Sequence, residues 1–165
     1  MSKKISKVDH YDYSAEALWA MMQDPAYLEG KYQALQDIEF EVVEHTCDND
    51  AVTIKVSRVV PADLPDVAKK VLGDTNQLMQ TETWKRNGDS FDCDLDIDSP
   101  GKPIKITGKL NIKPTGDSSA DWKVDMDIKA SVPIVGGKIE GAVVKATESS
   151  LDLEYQYNNE WLSSQ

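Results

Sequence analysis

The sequence FDCDLDID, residues 91–98, alternates apolar residues with aspartates without a fault. Because successive side chains of a strand point to opposite faces, this period of two predicts a β-strand with one apolar and one wet face. Residues 104–112 and 122–130 alternate in the same way, with mostly lysine and aspartate at the polar positions. An Asn-Gly pair at 87–88 favours a tight hairpin with a preceding strand at 77–86. These four segments predict an antiparallel meander that buries one face.

Two more strands and a short helix are predicted upstream of the meander. Residues 38–42 and 52–56 alternate around the acidic turn CDND, which indicates a hairpin. Residues 61–73, PADLPDVAKKVLG, combine two prolines, a helical spacing of apolar residues and a terminal glycine. This combination predicts a short helix within a long connection.

The N-terminal part predicts a strand followed by two short helices. Residues 4–13 mix apolar, aromatic and polar residues, and the run stops at Ser14, whose hydroxyl can cap a helix start. A first helix is predicted at 15–22. Asp24 and Pro25 are typical of the cap and the first residue of a second short helix.

A long helix is predicted at 137–162, and this is the element available to cover the apolar face of the sheet. At about 100° per residue, its apolar residues fall on two stripes. The first stripe, which we expect to lie on the sheet, contains Ile139, Val143, Ala146, Ser150, Leu153, Tyr157 and Trp161. The second stripe, which could pack beside the short helices or meet another copy of the chain in a homodimer, contains Val144, Leu151, Tyr155 and Leu162.

The composition is that of a soluble globular domain with an acidic surface. The 165 residues include 18 basic and 29 acidic side chains, which gives a formal net charge of −11, and 40% of the residues are apolar. Nucleic acid and anionic membrane surfaces are therefore poor partners. No apolar run is long enough for membrane insertion. Cys47 and Cys93 are too few for a disulfide scaffold, which favours reduced thiols in the cytoplasm, although one bridge stays open.

The order of these elements resembles that of the START-like, or SRPBCC, superfamily, which includes the birch-pollen-allergen relatives, polyketide cyclases and lipid-transfer domains. Its opening strand, helix and Asp-Pro turn are similar to YDYSAEALWAMMQDPAYLE, residues 11–29. PADLP at 61–65 and VPIVGGKIEG at 132–141 resemble a bacterial branch known only as a domain of unknown function. The resemblance implies a single α+β domain over residues 1–165 with the helix-grip fold. In this fold a seven-stranded curved antiparallel sheet wraps around the C-terminal helix, with two short helices after the first strand.

The same resemblance implies a cavity between sheet and helix that holds a hydrophobic small molecule such as a lipid, polyketide or isoprenoid. Small residues at the start of the long helix and Gly108 in a central strand leave room for it. The alternative is that large side chains such as Trp122 and Phe91 fill the space. The ligand-binding residues that we expect are Ile54, Val56, Arg58, Glu82, Phe91, Cys93, Leu95, Ile106, Gly108, Leu110, Val124, Met126, Ile128, Ile139, Val143 and Ala146.

Arg58 stands out because it continues the apolar-facing series of its strand, where an unpaired cation is costly. An inward Glu82 on the neighbouring strand could pair with it and give the pocket one polar anchor. The alternative is that a bulge or the strand end returns Arg58 to water.

Three functions follow from these observations. The favoured one is a non-catalytic binding or carrier protein for a hydrophobic molecule, without cofactor. The second is a cyclase or dehydratase, in which an inward Glu82, Arg58 or His10 would transfer protons. The third is a ligand-free protein-interaction module that uses the second stripe of the last helix.

Metal binding is not predicted. The aspartates of 91–98 point in parallel along one strand face, at about 7 Å spacing, and the lysines of the next strand can pair with them. His45 and Cys47 would need ligands from distant strands to complete a zinc site. The sequence also lacks a phosphate loop, a nucleophile elbow and an HExxH motif.

Overall fold

The computed structural model describes residues 2–61 and 63–165, which form seven strands and four helices. The elements are β1 (Lys3–Tyr11), α1 (Ala15–Gln23), α2 (Pro25–Ala34), β2 (Glu39–Cys47), β3 (Ala51–Pro61), α3 (Asp66–Leu72), β4 (Thr75–Asn87), β5 (Ser90–Asp98), β6 (Ile104–Gly116), β7 (Ser119–Ala130) and α4 (Gly136–Ser163). The strands form one antiparallel sheet in the order β1-β7-β6-β5-β4-β3-β2. The predicted α+β helix-grip architecture, a curved sheet around a long C-terminal helix, is confirmed.

The first two helices begin at the predicted caps. The Ser14 hydroxyl accepts a hydrogen bond from the backbone N–H of Ala17 at 3.0 Å. The Asp24 carboxylate accepts one from the N–H of Ala26 at 2.9 Å, and Pro25 is the first residue of α2. Each side chain satisfies a backbone donor that has no partner inside its helix.

The short helix predicted within the connection at 61–73 is α3, and Gly73 is its C-cap as expected. Pro61 still belongs to β3, and α3 begins only at Asp66. A residue before a proline is disfavoured in the helical conformation, so a helix can begin only after the second proline of PADLP. Residue 62, which falls in the predicted segment, lies outside the described residues.

The outer face of the sheet carries the predicted ladder of opposite charges. Lys105 on β6 contacts Asp96 at 2.7 Å and Asp98 at 2.6 Å on β5, and Lys109 pairs with Asp94. Cross-strand pairing therefore accounts for the aspartates of the central strand.

Aromatic side chains fill the space between the helices and one end of the sheet, which we call the packed end. The residues from the sheet are Tyr11, Trp84, Phe91 and Trp122, and none is more than 5% exposed. Trp19 of α1 stacks on Phe91 with ring centres 4.3 Å apart, and Trp84 meets Trp122 edge-on at 5.5 Å. Such pairs add to the stabilisation that the burial of large rings provides.

The face of α4 that points inward overlaps the second predicted stripe and extends toward the first. Its buried residues include Glu140, Leu151, Asn158 and Leu162. Asn158 bridges three elements: the hydroxyl of Tyr27 donates to its side-chain carbonyl at 2.6 Å, and its amide donates to the hydroxyl of Tyr11 at 3.2 Å. The expectation that the first stripe lies on the sheet is incomplete, because Leu151 and Leu162 of the second stripe are buried in the main core as well.

The two stripes instead divide between the sheet and α2. Leu151, Leu162 and Tyr155 of the second stripe pack into the main core, and the Tyr155 hydroxyl donates to the carbonyl of His10 on β1. Tyr157 and Trp161 of the first stripe contact Tyr27 of α2. The stripe considered for a homodimer is therefore largely covered within the chain. Among the described residues, no helix has both the length and the apolar character needed to cross a bilayer.

Candidate functional site

A cavity of about 470 Å³ lies between α4 and the end of the sheet opposite the packed end. Residues from β3 to β7, α2, α4 and the segment around α3 surround it. Its wall is mostly apolar and is formed by Leu35, Val60, Leu64, Leu72, Leu78, Ile97, Ile104, Ile106, Met126, Ala142, Val143, Leu151 and Leu153. A volume in this range is typical of small-molecule sites.

Arg58 reaches the cavity from β3 and is paired with a buried carboxylate. It is 8% exposed, and its Nε and Nη2 donate to the two carboxylate oxygens of Asp37 at 2.7 and 2.8 Å. Desolvation alone would lower the pKa of Arg58, but the hydrogen bonds and charge of Asp37 outweigh it and raise that pKa. The guanidinium is therefore a fixed positive charge with a two-point partner.

A chain of hydrogen bonds runs from Arg58 along the inner face of β4. Nη1 of Arg58 donates to the Gln80 carbonyl at 3.0 Å, and the Gln80 amide donates to Glu82 at 3.1 Å. The indole N–H of Trp84 donates to the other oxygen of Glu82 at 3.0 Å. This chain links the polar part of the cavity to the packed end and satisfies each buried group that it contains.

Lys31 of α2 forms a second buried ion pair at the cavity. Its Nζ lies 2.7 Å from Oε1 of Glu154 on α4, and the residue is 5% exposed. Desolvation alone would lower the pKa of Lys31, but the negative charge of Glu154 outweighs it, and the pKa is raised well above its usual value. Lys31 thus stays charged and ties α2 to α4 across the cavity.

The ring of Tyr32 lies against both cations. The guanidinium carbon of Arg58 is 5.0 Å from the ring centre and the Lys31 ammonium 5.4 Å, distances at which cations are attracted to aromatic faces. The ring is fully buried, and this desolvation raises the pKa of the Tyr32 hydroxyl to about 12.

Five of the expected ligand-binding residues lie on the cavity wall: Arg58, Ile106, Met126, Val143 and Ala146. The others belong to the sheet face or helix but not to the wall, and they are Ile54, Val56, Glu82, Phe91, Cys93, Leu95, Gly108, Leu110, Val124, Ile128 and Ile139. The sequence assigned the whole inner face to the cavity, whereas aromatic packing closes one end of it.

Gly108 does not open space for a guest. A Cβ atom built there would lie 2.8 Å from the carbonyl oxygen of Asp125 and 3.3 and 3.4 Å from side-chain carbons of Met126 and Leu95. Neighbouring side chains therefore occupy the space that the missing side chain leaves.

Two further expectations about charged residues are wrong. Glu82 points inward, but it lies opposite Ile54 rather than Arg58, and Gln80 separates the two charges. His10 is on the outer face of β1, where its ring nitrogen contacts Asp121 at 2.7 Å, so it cannot act in the cavity. The alternative that Arg58 returns to water is also wrong.

The sequence patterns did not indicate four residues of the site, Lys31, Asp37, Asn76 and Glu154. Lys31 follows Tyr27 and Leu28 by four and three residues and therefore lies on the buried face of α2, which is a signal that helical spacing contains. Asp37 lies in the loop after α2, and no local pattern relates it to Arg58.

His45 contacts both Cys47 and the end of α1. His45 Nε2 lies 3.0 Å from the carbonyl oxygen of Met22 and 3.4 Å from the Cys47 sulfur. Cys47 and Cys93 are both free thiols, and burial raises the pKa of Cys93. Among the described residues, no group of three or more potential ligands could hold a metal ion.

Solved structures with this architecture include proteins of the START type. A protein from Thermus thermophilus is 16% identical with a TM-score of 0.66, and the match covers 98% of both chains. A START superfamily protein from Mycobacterium smegmatis is 15% identical with a TM-score of 0.56 and covers 98% of this chain and 97% of the other. The Zhui aromatase/cyclase from a Streptomyces species is 7% identical with a TM-score of 0.63 and covers 99% and 94%. At these identities the likeness establishes a START-like fold and not an activity.

The family follows from a match that spans residues 7–162. The matching family model is described as "Protein of unknown function (DUF2505)", and the chain belongs to this family. No curated protein matches the chain.

Proposed function

We propose that this protein binds a hydrophobic small molecule in the cavity between α4 and the sheet and carries it without chemical change. The observation that supports this proposal is the apolar wall of a cavity of about 470 Å³ with Lys31, Arg58 and Gln80 beside it. Many apolar contacts and a few oriented polar groups are the usual composition of a small-molecule site.

A cyclase or dehydratase activity has less support from this geometry. Of the three side chains considered for proton transfer, only Arg58 lines the cavity, and a guanidinium does not give up its proton in a protein. Glu82 is hydrogen-bonded by Gln80 and Trp84 behind the wall, and His10 is on the outer face. A ligand-free interaction module would not need the cavity.

Native mass spectrometry of the purified protein, followed by solvent extraction, tests the proposal. We expect an apolar molecule to accompany the chain, or a panel of fatty acids, fatty alcohols, sterols and polyketides to contain a binder. Absence of a co-purified molecule together with no binding across the panel would contradict the proposal.

A cavity-filling variant and a matched surface control locate the binding site. Ala142→Phe places a ring in the cavity and should abolish binding, whereas Ala26→Phe puts the same ring on the exposed surface of α2 and should leave binding unchanged. Equal binding by both variants would place the ligand elsewhere.

A further inference from the structure

The two buried cations at the cavity are already paired within the protein, whereas Lys145 and Asp63, which also line it, are exposed to solvent and opposite in sign. Arg58 is held by both oxygens of Asp37, and Lys31 is held by Glu154. A third buried carboxyl group, Glu82, receives hydrogen bonds only from the uncharged donors of Gln80 and Trp84. Three carboxyl groups therefore surround the two buried cations, with Glu82 behind the wall, and both buried cations have a partner.

A charged head group would be unfavourable here for either sign. A carboxylate or phosphate would add negative charge where carboxyl groups already outnumber cations. An ammonium group would meet the two buried cations that line the wall, Lys31 and Arg58, in addition to the exposed Lys145. Burial of a charge without a counter-charge of its own is costly, whereas a neutral polar group needs only hydrogen bonds.

Among the described residues that line the cavity, Asn76 has a buried side-chain acceptor without a partner. Asn76 of β4 lines the wall, and its side-chain carbonyl oxygen is buried without a hydrogen-bond partner among residues 2–61 and 63–165. A buried acceptor without a partner carries a desolvation penalty that a bound donor removes. The side-chain amide can both accept from and donate to a hydroxyl group.

We infer that the cavity takes an amphiphile with an uncharged, hydroxyl-bearing polar end, and that Asn76 recognises this end while the apolar wall holds the tail. The inference rests on the proposed function, because it names the chemical class of the molecule bound at the same site. Lys31 and Arg58 keep the site closed to charged heads rather than attract them.

Three probes with one twelve-carbon chain and different head groups test the inference: dodecanol, dodecanoic acid and dodecylamine. Displacement of a fluorescent apolar reporter at neutral pH gives the three affinities. We expect dodecanol to bind at least about tenfold more tightly than the other two. An acid or amine that binds as tightly as the alcohol overturns the head-group inference and leaves the proposed function standing. Failure of all three to bind contradicts the proposed function itself.

The variant Asn76→Leu tests whether the Asn76 amide contributes to the affinity for dodecanol. It removes the amide at similar size, and the affinity for dodecanol should fall about tenfold while the affinities for the acid and amine change little. Asn49→Leu, in the exposed turn between β2 and β3, is the matched control and should bind dodecanol normally. Unchanged dodecanol binding by Asn76→Leu overturns the role of Asn76. The ranking of the three probes on the unsubstituted chain decides the head-group class whether or not the variant folds.

Discussion

The two ends of the sheet show two ways to cover an apolar face. At the packed end, Phe91 stacks on Trp19 of α1 and Trp84 meets Trp122 edge-on, and all four rings are buried. At the cavity end, the same strands present smaller side chains such as Ile97 and Ile106, and α4 passes over them with alanines and polar residues. The buried rings of the packed end stabilise the fold, so the cavity end can remain open.

Polar residues also differ between the two ends. The packed end uses Asn158 to join two buried tyrosine hydroxyls, and all of these groups are neutral. The cavity end uses two ion pairs that link elements on either side of the opening, Arg58 with Asp37 and Lys31 with Glu154. Each pair joins two elements at the opening, and its separation would leave a buried charge without a partner.

The largest expected effect comes from truncation at the packed end. Trp84→Ala removes a fully buried ring and the indole donor to Glu82, so the free energy of unfolding should fall by about 4 kcal/mol. Leu78→Ala at the cavity wall removes a half-buried side chain beside existing space and should cost only about 1 kcal/mol. Urea denaturation of both variants measures the difference. Equal losses would contradict the contrast between the two ends.

The sequence predicts which residues of the sheet face inward, but it does not predict which end of that face is closed by packing. Strict alternation from Phe91 to Ile97 determined which residues face inward, and the pairing in the structure agrees with it. Alternation describes a face without indicating how far along it the packing is closed. That information comes from α1 and α2, whose positions over one end of the sheet depend on tertiary contacts such as Trp19 with Phe91.

The charged residues of the cavity were harder to foresee for a related reason. Arg58 was recognisable because it breaks an apolar series within one strand. Its partner Asp37 is 21 residues away in a loop, and the partner of Lys31 is on α4. A hydrophobic pattern treats every charge as exposed, so it misses the buried faces of α2 and α4, where charged residues are paired across elements.

A second prediction concerns the ion pair at the cavity. Arg58→Leu leaves Asp37, whose side chain is inaccessible to solvent, without its counter-charge, and should destabilise the protein by about 3 kcal/mol. The double variant Arg58→Leu with Asp37→Leu removes both charges and should recover most of this loss. Thermal and urea denaturation check both values. A double variant as unstable as the single one would show that the pair itself, and not the unpaired carboxylate, accounts for the loss.

A smaller effect is expected where α2 meets α4. A Cβ atom at Gly30 would lie 2.3 Å from the hydroxyl oxygen of Tyr157, which donates to the carbonyl of Tyr27 at 2.9 Å. Gly30→Ala improves helix propensity by about 1 kcal/mol, but displacement of this tyrosine should make the net change destabilising by a similar amount. In a Tyr157→Phe background the hydroxyl is absent and the nearest ring carbon is 3.1 Å from the new Cβ atom, so the same substitution should cost clearly less. Destabilisation of equal size in both backgrounds would rule out this explanation.

The smallest predicted effect is a pH dependence at the outer face near the packed end. The hydrogen bond to Asp121 raises the pKa of His10 above its usual value of 6.5. A raised pKa means that the folded state holds the proton more tightly, so this stabilisation is complete below about pH 6.5 and is lost as the pH rises through the folded-state pKa. Denaturation of the wild type and His10→Gln across this window should show a difference that shrinks with rising pH. A difference that grows with rising pH would contradict the assignment.

Methyl NMR during titration with dodecanol shows which end of the sheet a ligand contacts, because isoleucines report on both ends. Ile97, Ile104 and Ile106 line the cavity, while Ile112 is paired with Phe91 and Trp122 at the packed end. We predict saturable shifts of the three cavity isoleucines and little change at Ile112. Shifts centred on Ile112, or no saturable shift at any of the four, would contradict the account.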